Sequence, residues 1–217
     1  TGSAMDRLLL TMGAGAGEVP GVPVLQMLKP AAALLPPEDG DPALGVEIDL
    51  GGIGKGFALD RVVEILADWD VTSALLNAGA STVLALDAPA GENGWRVGVG
   101  GPWGAAAGFD TVELHRMSLS GSGIEIKGEH VVDPRTGNPP QWHQAAWALC
   151  RLTEPSDMPA TCLLTARSDA LATAFLVMST AEVESYCAEH TEVAALVVPR
   201  QEGAGGAHVF GCWPGVT

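Results

Sequence analysis

Apolar positions along this chain fall into short alternating runs bounded by glycine and proline, with three stretches at helical spacing among them. Ala58, Val62, Ile65, Leu66 and Trp69 recur at helical intervals, while Asp60, Arg61, Glu64 and Asp68 fall elsewhere, which predicts an amphipathic helix. A second helix is expected up to Met178, with Ser168 or Asp169 as its N-cap, and a third over Ala181–Glu189. Strands are expected at Gly45–Ile48, Thr72–Leu76, Ser81–Leu86, Trp95–Val99, Thr111–His115, Glu129–Val132, Trp142–Leu149, Val193–Val198 and Ala207–Cys212. Asn77–Ala80 and Asp133–Gly137 have the composition of turns. Strands outnumber helices and do not alternate strictly with them. The expected class is therefore α+β with mixed or antiparallel sheets rather than a doubly wound parallel sheet. Residues 1–43 offer no well-placed element and end in the linker-like Pro36–Pro42, so the folded domain is expected over 44–217.

One stretch stands apart from this pattern. Asp49–Asp60 reads D-L-G-G-I-G-K-G-F-A-L-D, between a strand and a helix. Glycine there lets the backbone adopt positive φ and brings its N–H groups close to a ligand, and a helix N-terminus behind such a turn favours anions. The stretch is not a phosphate loop of the Walker type, because Gly56 follows Lys55 where Ser or Thr is needed and Asp49 stands where Gly is needed. It is not a dinucleotide fingerprint either, since Phe57 or Leu59 holds the last required position. By itself it also fits a purely structural turn.

Composition narrows the partners. Of 217 residues, 47% are hydrophobic and 17% charged, a globular balance. The net charge of −15 argues against nucleic acid and against an anionic membrane surface. Cys150, Cys162, Cys187 and Cys212 form no C-x-x-C pair, which argues against zinc; two disulfides or free buried thiols both remain open. No apolar run approaches the ~20 residues of a membrane-spanning helix. Leu8–Leu10 is too short for the core of a signal segment, so none is expected in the chain as given.

Five ordered motifs add a resemblance. The Asp49–Asp60 stretch, Asn77-Ala78-Gly79, Ser120-Gly121, the run His130–Gly137 and Asp169–Ala174 together resemble the ApbE family, the FAD:protein FMN transferases. They cover about residues 44–198. The resemblance implies two αβ lobes of a T-fold-like kind with flavin and metal between them. This chain lacks recognisable counterparts of the family's N-terminal flavin-binding elements, so part of the N-terminal lobe and tight FAD binding are not expected. It also lacks an aromatic after Ser120-Gly121-Ser122.

The same resemblance implies a set of site residues. Lys55, Asn77, Gly79, Ser120, Gly121, Val132 and Asp133 would bind FAD, with Lys55 near the pyrophosphate. Asp169 and Thr173, one helical turn apart, would hold Mg²⁺ together with a backbone carbonyl near Gly52. Taken alone, that pair reads as an N-cap aspartate and a threonine bonded back to its own helix. His130 would activate the acceptor hydroxyl, while Asp133 is otherwise a turn former and Arg135 a surface residue. The implied reaction moves FMN from FAD to a Thr or Ser hydroxyl of a target protein, with release of AMP. The alternatives are an FAD pyrophosphatase, a non-catalytic FAD-binding protein, and an interaction domain that has lost the ligand. The family further implies a periplasmic or membrane-anchored lipoprotein location.

Overall fold

The computed structural model describes residues 50–99, 111–124, 131–152, 163–200 and 206–215. In chain order these residues form helix α1 (Gly54–Ala67) and strands β1 (Leu75–Ala78), β2 (Thr82–Ala85), β3 (Trp95–Gly98), β4 (Thr111–Leu114), β5 (Met117–Gly123) and β6 (His143–Arg151). Helices α2 (Leu164–Val177) and α3 (Thr180–Glu189) follow, then β7 (Val193–Pro199) and β8 (His208–Phe210). Six strands make one sheet in the order β1-β2-β5-β6-β7-β8, and β3 pairs with β4 in a second. All these pairings are antiparallel. The α+β class expected from the strand count is thus the observed one.

Alternation along the strands sorts the core into two layers. Leu84, Ala146, Ala148, Cys150, Val193, Ala195 and Val197 face the helices, where they meet Leu171, Phe175 and Leu176 of α2. Ala85, Leu119, Leu149, Ala194 and Leu196 face the other way and pack with Val112 and Leu114 of β4 and with Trp213. Helix α2 lies at the centre: thirteen of its fourteen residues are buried, Arg167 being the exception. Its run of small residues at Ala166, Ala170, Ala172 and Ala174 suits an element covered on several sides.

Several expected boundaries move, each for a physical reason. Helix α1 begins at Gly54, so Lys55 and Gly56 lie in its first turn rather than in a loop. None of Gly51, Gly52, Gly54 and Gly56 has positive φ. The buried side of α1 is Gly56, Leu59 and Asp60, with Val63 and Leu66 packed beside them. Ile65 is 58% exposed and Trp69 77%, so the predicted apolar stripe meets the core at Leu66 but otherwise does not coincide with the core-facing side. The periodicity missed this because the true contact face starts with a glycine and includes a carboxylate. Helix α2 starts at Leu164, ahead of both predicted caps.

Asn77 and Ala78 belong to β1, and the turn shrinks to Gly79, Ala80 and Ser81, with Gly79 at φ 65°. Val131 and Val132 form no strand, but the Asp133 turn is present: Thr136 and Gly137 donate to the Asp133 carbonyl at 3.2 and 2.8 Å. Helix α3 matches its prediction and carries a full capping box between Ser179 and Glu182. The expected strand at 45–48 and the loops at 100–108 and 153–159 lie outside the described residues, wholly or nearly so. Among the described residues no helix is long and apolar enough to cross a membrane.

Candidate active site at the crossing of two helices

The site forms where the first turn of α1 meets the first half of α2. The approach is close because Gly56 has no side chain: a Cβ there would stand 2.2 Å from the Thr165 carbonyl oxygen. Asp60, one turn along α1, is 5% exposed and accepts the backbone N–H groups of Thr165 at 3.0 Å and Ala166 at 2.9 Å. It therefore caps α2 from another helix, satisfying two of the N–H groups that any helix start leaves unpaired. Burial is the largest influence on Asp60 and pushes its pKa above the usual carboxylate value; the two amides act in the opposite direction.

Docking the helices this way delivers Lys55 to Asp169. The Lys55 ammonium lies 2.9 Å from Oδ1 and 3.3 Å from Oδ2 of Asp169. The Gly56 amide donates to Oδ2 at 3.1 Å, and the Thr82 hydroxyl donates to Oδ1 at 3.1 Å. A carboxylate offers about four acceptor positions, and these four contacts use them. Asp169 is 3% exposed and sits in the second turn of α2, so it is a buried side-chain acceptor and not an N-cap. Thr173 Oγ1 contacts the Asp169 carbonyl oxygen at 3.4 Å, the back-bonded arrangement that the i, i+4 spacing also allowed.

The sheet supplies the floor. Thr82 of β2 pairs in register with Ser120 of β5, and both point at α2. Ser168 donates to the Thr165 carbonyl at 3.0 Å, so in its 2.8 Å contact with Ser120 the Ser120 hydroxyl is the donor. Ser118 donates to the Leu164 carbonyl at 3.2 Å. Gly121 packs against Trp147, and its amide donates to the Ser81 carbonyl at 2.7 Å. Asn77 and Gly79 are exposed at the sheet edge beside this floor. Gly52 lies in the turn in which Ile53 and Gly54 donate to the Leu50 carbonyl, just before α1.

Asp133 belongs to a different neighbourhood. Its carboxylate accepts the Arg135 amide at 2.9 Å and the Arg135 side chain at 3.0 Å. Arg135 also donates to Glu182 at 2.9 Å and to the carbonyl of Val177, the last residue of α2. Arg135 is therefore a surface residue, as expected, that also clamps the Asp133 turn to the end of α2 and the start of α3. Val132 is half-buried in that turn. His130 lies outside the described residues. The bond from Thr82 to Asp169, the bond between Ser168 and Ser120, and the capping role of Asp60 are not visible in the sequence. Polar residues at alternate positions of β2 and β5, on the face that otherwise feeds the core, are the signal that points to Thr82, Ser118 and Ser120.

The chemistry of this donor set suits a hard cation. Asp169 supplies a carboxylate, and Thr173 and Thr82 supply hydroxyl oxygens nearby. Among the described residues no cluster of three or more His, Cys, Asp or Glu occurs, so Asp169 is the one carboxylate this donor set offers.

The family model for ApbE matches residues 40–197, a span that contains every motif described above. The chain belongs to the ApbE family. Among its curated relatives, the FAD:protein FMN transferase of Klebsiella pneumoniae (strain 342) is 34% identical over 104 residues, covering 44% of this chain and 31% of the relative. The FAD:protein FMN transferase of Rhodobacter capsulatus is 30% identical over 129 residues, 56% of this chain and 24% of the relative. The chain thus spans 24% to 31% of the length of these relatives. The ApbE protein of Thermotoga maritima superposes with a TM-score of 0.59 at 26% identity, over 76% of this chain and 52% of that one. The apo form of the Pseudomonas stutzeri flavinyl transferase ApbE gives a TM-score of 0.59 at 24% identity, over 95% and 64%, which bears on the fold alone.

Proposed function

We propose that this ApbE-family chain carries a Mg²⁺-dependent FAD:protein FMN transferase site within residues 44–217. The observation that supports it is the meeting of Lys55 and Asp169 at 2.9 Å across 114 positions of sequence. That contact joins the glycine-rich motif to the helix motif, the two segments expected to hold a pyrophosphate and its cation. In this reading Asp169 and Thr173 hold Mg²⁺ with a carbonyl near Gly52. Bound there, the ion neutralises charge developing on the phosphoryl oxygens.

The chain's own residues then do the rest. Lys55 and the first-turn amides of α1 present positive charge to the pyrophosphate. Gly121, Asn77 and Gly79 would contact the nucleotide, Ser120 would support the floor beneath it from its buried bond to Ser168, and Val132 and Asp133 would reach it only from their separate turn. His130 accepts the proton of a Thr or Ser hydroxyl on a target protein. That oxygen attacks the FMN-side phosphorus, the pyrophosphate P–O bond breaks, and AMP leaves with the electron pair. Water in place of the hydroxyl gives FAD pyrophosphatase chemistry at the same residues.

The test is mass spectrometry of a co-expressed acceptor protein for an added FMN, with AMP release from FAD followed in parallel. Wild type is expected to show both in the presence of Mg²⁺, and Asp169→Ala neither. AMP release without acceptor labelling supports the pyrophosphatase instead. Turnover of Asp169→Ala equal to wild type at equal Mg²⁺ removes Asp169 from the site.

A further inference from the structure

The four contacts at the Asp169 carboxylate are not equally permanent. The Gly56 amide is fixed by the backbone of α1, and Thr82 is fixed by its strand pairing to β5. Lys55 alone reaches the carboxylate on a flexible four-carbon stem, and its side chain is 36% exposed against 3% for Asp169. Its ammonium spans both carboxylate oxygens, at 2.9 and 3.3 Å. A buried carboxylate without a cation is costly, so the pair is mutually held. A divalent ion coordinated by the same oxygens meets the lysine charge at the same place.

We propose that Lys55 is an exchangeable counter-ion: it holds the Asp169 carboxylate until a divalent cation takes over, and then swings away with its charge free. This rests on the reading of Asp169 as a cation ligand. The charge arithmetic gives the exchange a consequence. Lys55 and Asp169 together are neutral; with a divalent ion added, the same cluster carries two net positive charges at the N-terminus of α1. A site that begins neutral becomes one that attracts an anion, so cation and phosphate binding reinforce each other reciprocally.

The experiment is a Mn²⁺ titration of the full chain, with free ion followed by electron paramagnetic resonance. Removing the competing ammonium in Lys55→Met should tighten Mn²⁺ binding about tenfold, the equivalent of one charge-assisted hydrogen bond. Asp169→Asn should reduce binding to background. Unchanged or weaker binding by Lys55→Met overturns the exchange. If neither wild type nor Lys55→Met binds Mn²⁺, the ligand reading of Asp169 fails and the exchange falls with it. A measurement on wild type covers the case in which Lys55→Met does not fold. Reductive methylation of Lys55, read by peptide mass spectrometry against the N-terminal amine, should rise severalfold in Mg²⁺ at constant ionic strength. Equal methylation under conditions where Mn²⁺ binds also overturns it.

Discussion

Asp60 and Ala166 are 106 positions apart in sequence, yet the Asp60 carboxylate accepts the Ala166 amide at 2.9 Å. With the matching bond from Thr165, one residue on α1 closes the start of α2. The helix has no side-chain cap hydrogen bond from its own N-cap residue, Leu163. Its beginning is set by a partner helix, which is why the site on its second turn depends on how the two helices cross.

Replacing Asp60 tests that dependence. Asp60→Ala removes both acceptors and is expected to destabilise the protein by about 1–2 kcal/mol, the upper range for a lost cap. Asp60→Asn keeps one acceptor oxygen and should fall between. Urea unfolding midpoints at constant slope decide the order; an Asp60→Ala protein as stable as wild type contradicts the cross-helix cap.

Two glycines in the same helical turn should respond with opposite signs. A Cβ on Gly56 would meet only backbone of α2, at 2.2 to 2.6 Å, and backbone there cannot yield without parting the helices. Gly56→Ala is expected to cost about 1–3 kcal/mol. At Gly54 the nearest neighbour is the Leu50 Cβ at 3.5 Å, an ordinary contact. Gly54→Ala should therefore stabilise by about 0.5–1 kcal/mol through helix propensity. Thermal melts of the two variants side by side test the pair, and a shared sign would contradict the close helix crossing.

His143 should give the fold a pH dependence in mildly acidic solution. It is fully buried: Nδ1 donates to the Phe175 carbonyl at 2.7 Å, and Nε2 faces the Thr180 hydroxyl at 3.1 Å. Burial lowers its pKa below the ordinary histidine value, with a smaller lowering from His208 and an opposing effect from the Phe175 carbonyl. The unfolded chain therefore takes up a proton at a higher pH than the folded one. Stability from this group is complete above about pH 6.5 and declines as pH falls below that. Wild type should lose denaturant resistance between pH 7.5 and 5.5 more steeply than His143→Gln. Parallel curves for the two proteins would contradict the assignment.

The sequence made the element types legible almost everywhere, because strand alternation and the capping box of α3 are local signals. Partners were legible where motifs carried them: Lys55 and Asp169 belong to two of the five, and they meet. The contact face of α1 was not, since Gly56 contributes by being absent and Asp60 is a carboxylate serving as core. Nothing near Leu164 marks the start of α2, because its cap comes from a residue more than a hundred positions upstream. Arg135 is exposed, as expected of a surface residue, but its links were hidden for the same reason: both its turn and the helix ends it ties are needed to show that the guanidinium is shared.

The long span of the Lys55–Asp169 pair also bears on when the site comes into being. Closing a loop of 114 residues has an entropic cost that must be met before the contact returns anything. Helix α2 is held in place by β5 and β6, and β6 is flanked in turn by β7, whose residues run to Pro199. A ribosome delivering this chain exposes the glycine-rich motif well before the partner that neutralises Lys55, which follows 114 residues later. High contact order of this kind slows folding, and it makes the ion pair a late event. The Lys55–Asp169 crossing is thereby withheld from any chain that still lacks α2 and the strands that hold it.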